Sequence, residues 1–319
     1  MKAITISDYG APDVIKLKEV DKPVIKDNDV LIRVCASSIN AADLFSMHGS
    51  PWLVRLSLGF PKPKDYILGW DIAGRVEAIG QNVTRFRPGD EVYTASKGAF
   101  AEYVAVKEGA LALKPVNLTF EEAAAIPNAA LAALHCLRDA GKVQPGQQVL
   151  INGASGGVGT FAVQIAKTLG AEVTGVCSTR NVEMVTALGA DHVIDYTRQD
   201  FTKAGQRYDP ILDNVGNRSF SEMRQALTPQ GKISPNRGYG GMSYVLKAYL
   251  LGPFMRQQGA MVESKANAAD LDVLKQLSEA GKLTPIIDRT YALADIADAF
   301  RYFEAEHARG KVAIMVAGE

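Results

Sequence analysis

Cysteine is scarce in this chain: its 319 residues include three, Cys35, Cys136 and Cys177. Their spacing makes neither a disulfide framework nor a CxxC metal knuckle, so buried thiols in a reducing cytoplasm are expected. Histidine is nearly as sparse, and the four present, His48, His135, His192 and His307, form no ligand-spaced group. Neither sign of charge is in excess, because 35 Lys plus Arg balance 35 Asp plus Glu. That balance argues against an extended basic surface for nucleic acid. No apolar run is long enough to cross a membrane. Residues 1–6 begin like a strand and not like a signal peptide. The expectation is a soluble, cytoplasmic protein whose partner is a small molecule, with neither nucleic acid nor membrane insertion involved.

What is present is a change of pattern along the chain. Short strand candidates separated by Gly and Pro fill the first ~110 residues: 30–34, 74–80, 91–94 and 99–106. They suggest a compact barrel-like unit. After Thr119 the pattern alternates strand and helix. Thr119 reads as an N-cap, with Glu122 at the capping-box position. An alanine-rich helix is expected over 129–140, ended by Gly141. Strands at 148–152, 172–177, 192–195 and 211–215 alternate with helices at 159–169 and 181–188. Such alternation implies a parallel sheet covered on both faces. Helices at 271–280 and 296–305 and a strand at 312–316 close the chain. The organisation read from this pattern is a substrate domain over 1–122, a nucleotide domain over 123–260, and a segment 261–319 returning to the first.

The strongest local signal is the cluster Gly153-Ala154-Ser155-Gly156-Gly157-Val158-Gly159, which follows an apolar strand and opens a helix. Ala154, Gly156 and Gly159 occupy the three small-residue places of a dinucleotide loop. Small residues let the backbone approach a pyrophosphate, and the helix N-terminus offers unpaired N–H groups. The next strand ends Cys177-Ser178-Thr179-Arg180 without a carboxylate to accept from ribose hydroxyls. Ser178 can donate to a 2′-phosphate and Arg180 can neutralise it, with Thr179 between them, so NADPH is favoured over NADH. The bland alternative makes Arg180 a solvated residue at a helix start.

These residues resemble the medium-chain dehydrogenase/reductase superfamily, in its quinone oxidoreductase and zeta-crystallin branch. The likeness is carried by Ser38 through Asp43, Gly69 through Gly74, Pro88 through Val92, Gly98 through Tyr103, the glycine cluster, Asp213 through Gly216, and His307 through Lys311. It implies an α/β fold in which a Rossmann doubly wound parallel sheet domain joins a GroES-like β-barrel domain. Zinc-dependent relatives have Cys where this chain has Asn40 and His where it has Trp70. The structural-zinc cysteines are missing too, so no metal is expected.

The resemblance implies NADPH-dependent reduction of quinones or α,β-unsaturated carbonyls. Asn40 is the first active-site candidate, orienting the substrate or the nicotinamide ribose. Asp43 is the second, as a hydrogen-bond acceptor or an organiser of its loop; for the pair the alternative is an Asx-type turn in which Asp43 caps the following Leu44-Phe45 turn. Asn128, Asn214, Val215 and Gly216 are expected beside the cofactor, with an N-cap as the alternative for Asn128. Tyr66 and Trp70 can wall the substrate or belong to the core. Asp71 is read as a brace of backbone. The glycine- and tyrosine-containing stretch 233–261 is expected to support a homodimer or a lid. A non-catalytic, crystallin-like NADPH-binding protein and a metal-free reductase of other carbonyls are the competing readings.

Overall fold

The computed structural model describes residues 1–52, 54–64, 66–236, 264–305 and 308–316. The chain divides into two units, Met1–Leu131 with Lys265–Glu319, and Ala132–Ser264. The stretch expected at 233–261 lies outside the described residues from 237 onward.

In the first unit, β1 (Lys2–Ile6) pairs with β2 (Ile15–Glu19), and β3 (Asp29–Ser38) leads into helix α1 (Ala41–His48). Helix α2 (Val54–Leu58) and the short β4 (Tyr66–Ile67) precede β5 (Asp71–Ile79), β6 (Glu91–Ala95), β7 (Tyr103–Lys107) and β8 (Ala112–Leu113). Three of the strands expected here form. The one expected from residue 99 starts at Tyr103. Strand β3 is the hub: one edge pairs with β5, the other with β7 over Asp29–Arg33. Register shifts against β5 at Leu31/Ile32 and Val34/Ala36 bend it, as bulges do. Val30, Ile32, Val34, Ile72, Val76 and Val92 pack inside as one buried cluster.

Helix α3 (Phe120–Ala125) starts where its cap dictates. Thr119 Oγ accepts from the Glu122 N–H at 3.2 Å, and a Glu122 carboxylate oxygen accepts from the Thr119 N–H at 2.8 Å. The alanine-rich helix α4 (Pro127–Leu134) begins two residues earlier than expected and continues as a π-helical turn, His135–Ala140. The Gly141 N–H closes that turn on the Cys136 carbonyl at 2.8 Å.

The second unit alternates β9 (Gln148–Asn152), α5 (Gly157–Thr168), β10 (Glu172–Cys177), α6 (Val182–Ala187), β11 (His192–Asp195), β12 (Tyr208–Asp213), α7 (Phe220–Gln225) and β13 (Leu227–Pro235). Among the described residues its sheet runs β11-β10-β9-β12-β13 and every pair is parallel. Val149, Leu150 and Ile151 of the central strand are fully buried, as a strand covered on both faces requires. Strand β12 stops at Asp213, before the Asn214–Val215 pair expected to extend it.

The chain then returns to the first unit through α8 (Ala268–Glu279), β14 (Ile287–Ala292), α9 (Ile296–Ala305) and β15 (Lys311–Met315). Strand β15 pairs with β14 and, antiparallel, with β3 over Ala36–Ser38. The Ile39 N–H donates to the Val312 carbonyl at 2.9 Å, which brings the start of β15 against the turn before α1. The architecture is α/β: a parallel-sheet unit inserted in a β-rich one.

Candidate active site

The turn between β3 and α1 carries Asn40, and a buried polar cluster forms around it. Asp71, at the start of β5, is 0% exposed, Asn40 7% and Lys311 2%. The Asp71 carboxylate is surrounded by donors. Its Oδ2 accepts from Ser38 Oγ at 2.6 Å, Asn40 Nδ2 at 2.8 Å and Lys311 Nζ at 3.1 Å. Its Oδ1 accepts from the backbone N–H of Asn128 at 2.7 Å. Asn40 is held at both ends of its amide as well. Nδ2 donates to Asp71 and, at 3.3 Å, to the Ser38 carbonyl, while Oδ1 accepts from Lys311 Nζ at 2.5 Å.

Asp43 sits in the first turn of α1 and is fully buried. Its Oδ2 accepts from the Asn40 N–H at 2.8 Å and its Oδ1 from the Gly69 N–H at 3.0 Å. One carboxylate thus ties the α1 turn to the segment entering β5, which is an organising role. Burial pushes the Asp43 carboxyl up to about 7, and the nearby Asp71 charge adds to this, against the pull of the two N–H bonds and Lys311. Tyr66 packs against the core with its hydroxyl buried near Ser46. Burial, and then the Asp43 charge, push that hydroxyl up to about 12. Trp70 is half-buried, with Lys97 Nζ 5.6 Å from its ring centre.

In the second unit the turn after β9 is built for close approach. Gly153 has φ +77°, the left-handed region that glycine takes without strain. At Gly159 a side-chain carbon would lie 2.0 Å from the Gly153 carbonyl oxygen, so only hydrogen fits. The helix can therefore start against the strand end. Ala154 is buried, whereas Ser155, Gly156, Gly157 and Val158 are partly exposed around the N-terminus of α5. The first-turn amides of a helix have no partner within it and favour an anion.

Asn181 links this turn to the end of β10. Its Nδ2 donates to Ser155 Oγ at 3.0 Å and Ser178 Oγ at 3.3 Å, and its Oδ1 is buried without a partner. Thr179 and Arg180 are exposed. The sequence has no carboxylate at the end of β10, but the fold brings one from the neighbouring strand. Asp195 accepts from Thr179 Oγ at 2.6 Å and from Thr197, with Arg198 Nε at 3.5 Å. The Thr179 hydroxyl is therefore already in use.

At the end of β12, Asp213 Oδ1 accepts from Asn152 Nδ2 at 2.9 Å and from the N–H groups of Val215 and Gly216 at 3.1 and 3.0 Å. Asn214 Oδ1 accepts from Asn236 Nδ2 at 2.8 Å. Asp213 Oδ2 and Asn214 Nδ2 are buried with no partner. Orphaned polar atoms of this kind cost about 1–3 kcal/mol each unless something binds them. They stand at the C-terminal ends of parallel strands, where such sheets bind ligands. The turn, the helix end and these atoms fit a dinucleotide.

Comparison with known proteins identifies the family. Residues 26–116 match the alcohol dehydrogenase GroES-like domain, and residues 188–314 match the zinc-binding dehydrogenase family. The 2-methylene-furan-3-one reductase of Solanum lycopersicum is 34% identical over 98% of this chain and 79% of its own length. This chain belongs to the medium-chain dehydrogenase/reductase superfamily, in its quinone oxidoreductase branch. The NADPH-dependent alkenal/one oxidoreductase of Arabidopsis thaliana chloroplasts is 33% identical over 98% of this chain and 79% of its own. Among solved structures, the quinone oxidoreductase of Coxiella burnetii superposes with a TM-score of 0.90 at 31% identity, covering 99% of both chains.

As a member of this superfamily the chain departs from a simple reading of its motifs in three ways. Asn128 lies inside the first turn of α4, after Pro127, and not ahead of it as an N-cap. Asp71 braces backbone, as expected, but also anchors three side chains. Asn181 carries no motif signal, and Lys311, though it ends the His307–Lys311 stretch that carries the resemblance, has no role that its neighbours in sequence indicate. Among the described residues, no three His, Cys, Asp or Glu side chains are placed to hold a metal ion, and none of the described helices is long and apolar enough to cross a membrane.

Proposed function

We propose that this chain reduces quinones or α,β-unsaturated carbonyls with NADPH, without zinc. The observation that carries the cofactor is the Gly153–Gly159 turn, closed so tightly that any side-chain carbon at Gly159 would collide with the Gly153 carbonyl. Ala154, Ser155, Gly156, Gly157, Val158 and Gly159 would hold the pyrophosphate. Ser178 and Arg180, with the Thr179 backbone, would hold the 2′-phosphate, and Asn214, Val215, Gly216 and Asn128 would face the nicotinamide half. Bound NADPH supplies hydride, which suits an acceptor already activated by conjugation.

The protein's own part is placement and charge. Asp43 holds the α1 turn to the β5 entry, and Asn40, fixed inside the polar cluster, is the side chain proposed to meet bound ligand. The chemistry of the donor set supports the metal-free reading. An amide and an indole stand at Asn40 and Trp70, and the Asp71 carboxylate is already neutralised by a buried ammonium. The names of the tomato and Arabidopsis relatives support the substrate class. A cytoplasmic homodimer completes the proposal.

Turnover of a panel of quinones and enones with NADPH and NADH tests it, together with metal analysis and light scattering. NADPH-specific turnover without stoichiometric zinc is expected. Tight NADPH binding with no turnover would favour the crystallin-like alternative, and oxidation of simple alcohols would favour a reductase of other carbonyls.

A further inference from the structure

Asn181 stands in the N-cap place of α6, where asparagine is favoured because its side-chain oxygen can accept an orphan helix N–H. Here the side chain makes no such cap. It is 3% exposed and turns instead toward two serines from different strand ends. Ser155 belongs to the turn after β9 and Ser178 to the end of β10, and each Oγ accepts from Asn181 Nδ2, at 3.0 and 3.3 Å. Oδ1 is left buried without a partner. An amide carries two N–H protons, so both are used, whereas a hydroxyl has one proton and two lone pairs. An oxygen that accepts on its inner side turns its own proton outward. Ser155 and Ser178 are partly exposed, and among the described residues neither hydroxyl has an acceptor. Thr179 differs, since its hydroxyl donates to Asp195.

We propose that Asn181 is a positioning residue that holds the Ser155 and Ser178 hydroxyls as a pair of donors, and that nucleotide phosphate accepts from them. The forgone cap and the orphaned Oδ1 both cost stability, which a residue present for folding alone would avoid. A phosphate oxygen accepts strongly, so a hydroxyl preset to donate suits it. A ribose hydroxyl both donates and accepts and gains less from the presetting. Ser155, Ser178 and Asn181 all lie in the inserted parallel-sheet unit, so the arrangement is complete there. This deepens the NADPH reading above and rests on it. It gives the preference for a 2′-phosphate a determinant that itself touches no ligand.

The test uses the full-length protein and two probes, ADP-ribose 2′-phosphate and ADP-ribose, which carry the adenosine halves of the two cofactors and no nicotinamide. Affinities are measured by titration calorimetry, so no turnover is needed. The variants are Asn181→Leu, similar in size but without polar atoms, Ser178→Ala, and the two combined. Circular dichroism and thermal melts check folding, and Asn181→Ala replaces Asn181→Leu if that variant does not fold. With Asn181→Leu the affinity for ADP-ribose 2′-phosphate should fall about tenfold, the worth of one hydrogen bond to a charged group. The affinity for ADP-ribose should fall by less, so the preference for the phosphorylated probe shrinks. In the Ser178→Ala background the same substitution should leave that preference unchanged, because the hydroxyl through which Asn181 acts is gone. Equal losses for both probes, or a shrinkage as large without the Ser178 hydroxyl as with it, would make Asn181 a structural residue and overturn the proposal. If the wild type prefers the phosphorylated probe and Asn181→Leu keeps that preference, this proposal alone fails. A wild type that binds both probes alike, or neither, ends the NADPH reading and this proposal with it.

Discussion

Lys311 and Asp71 form an ion pair sealed from water, with side chains 2% and 0% exposed and Nζ 3.1 Å from Oδ2. Removing one partner strands the other charge. For Asp71→Ala the loss extends to Ser38, Asn40 and the Asn128 N–H, all of which donate to that carboxylate. A fall of about 3–5 kcal/mol in unfolding free energy is expected from urea melts. The control is Glu77→Ala, which breaks an equally short pair with Lys22 whose side chains are 40% and 41% exposed. That change should cost under about 1 kcal/mol. Equal losses would contradict the account of the cluster.

Asp43 makes stability depend on pH. Its folded value of about 7 lies above its ordinary 3.8, so the folded protein keeps a proton that the unfolded chain releases. In that window the native state binds more protons, and the contribution of this group to stability declines as pH rises. Below the window it is constant, and above about 7 it falls no further. Asp43→Asn should flatten that part of the stability–pH curve, whatever its own baseline. A decline of unchanged slope in the variant would assign it to another group.

Gly159→Ala places a methyl group where a carbonyl oxygen already stands 2.0 Å away. The strand end and α5 must separate. The expected result is a loss of about 1–3 kcal/mol in stability together with loss of measurable NADPH affinity. Gly205→Ala is a useful comparison, because its neighbourhood is open and only its φ of +79° is strained. It should lose some stability and keep the affinity.

Cofactor choice should respond in opposite directions to two charges near the end of β10. Arg180→Ala removes a cation from the proposed phosphate site, and the NADPH KM should rise about tenfold while the NADH KM stays level. Asp195→Asn removes an anion that the fold brings beside Thr179, and the NADPH KM should fall. Parallel shifts for both cofactors would remove the 2′-phosphate from the explanation.

Local chemistry explains which parts were legible in the sequence. The Thr119–Glu122 cap, the Gly153–Gly159 turn and the bounds of α9 depend on residues a few positions apart, and all appear as read. Asn40 and Asp43 were legible as a pair for the same reason. The partners that decide their behaviour were not. Lys311 reaches Asn40 across 271 positions, and Asp195 reaches Thr179 from the next strand. The absence of an acid at the end of β10 was a correct observation about one strand and an incomplete one about the site. Motif spacing describes a backbone path, whereas charge balance belongs to the assembled sheet.

The return of the chain to pair β15 with β3 also sets an order of events during synthesis. Asn40 leaves the ribosome 271 residues ahead of Lys311. At roughly 5–20 residues per second that delay is roughly 15–50 s. Throughout it, the C-terminal end of β3 lacks its β15 partner and the Asp71 carboxylate lacks its cation. A nascent or truncated chain can therefore complete the inserted parallel sheet while its Asn40 cluster is still unfinished. The last strand acts as a checkpoint, so that the polar cluster is finished only in a chain translated through Lys311.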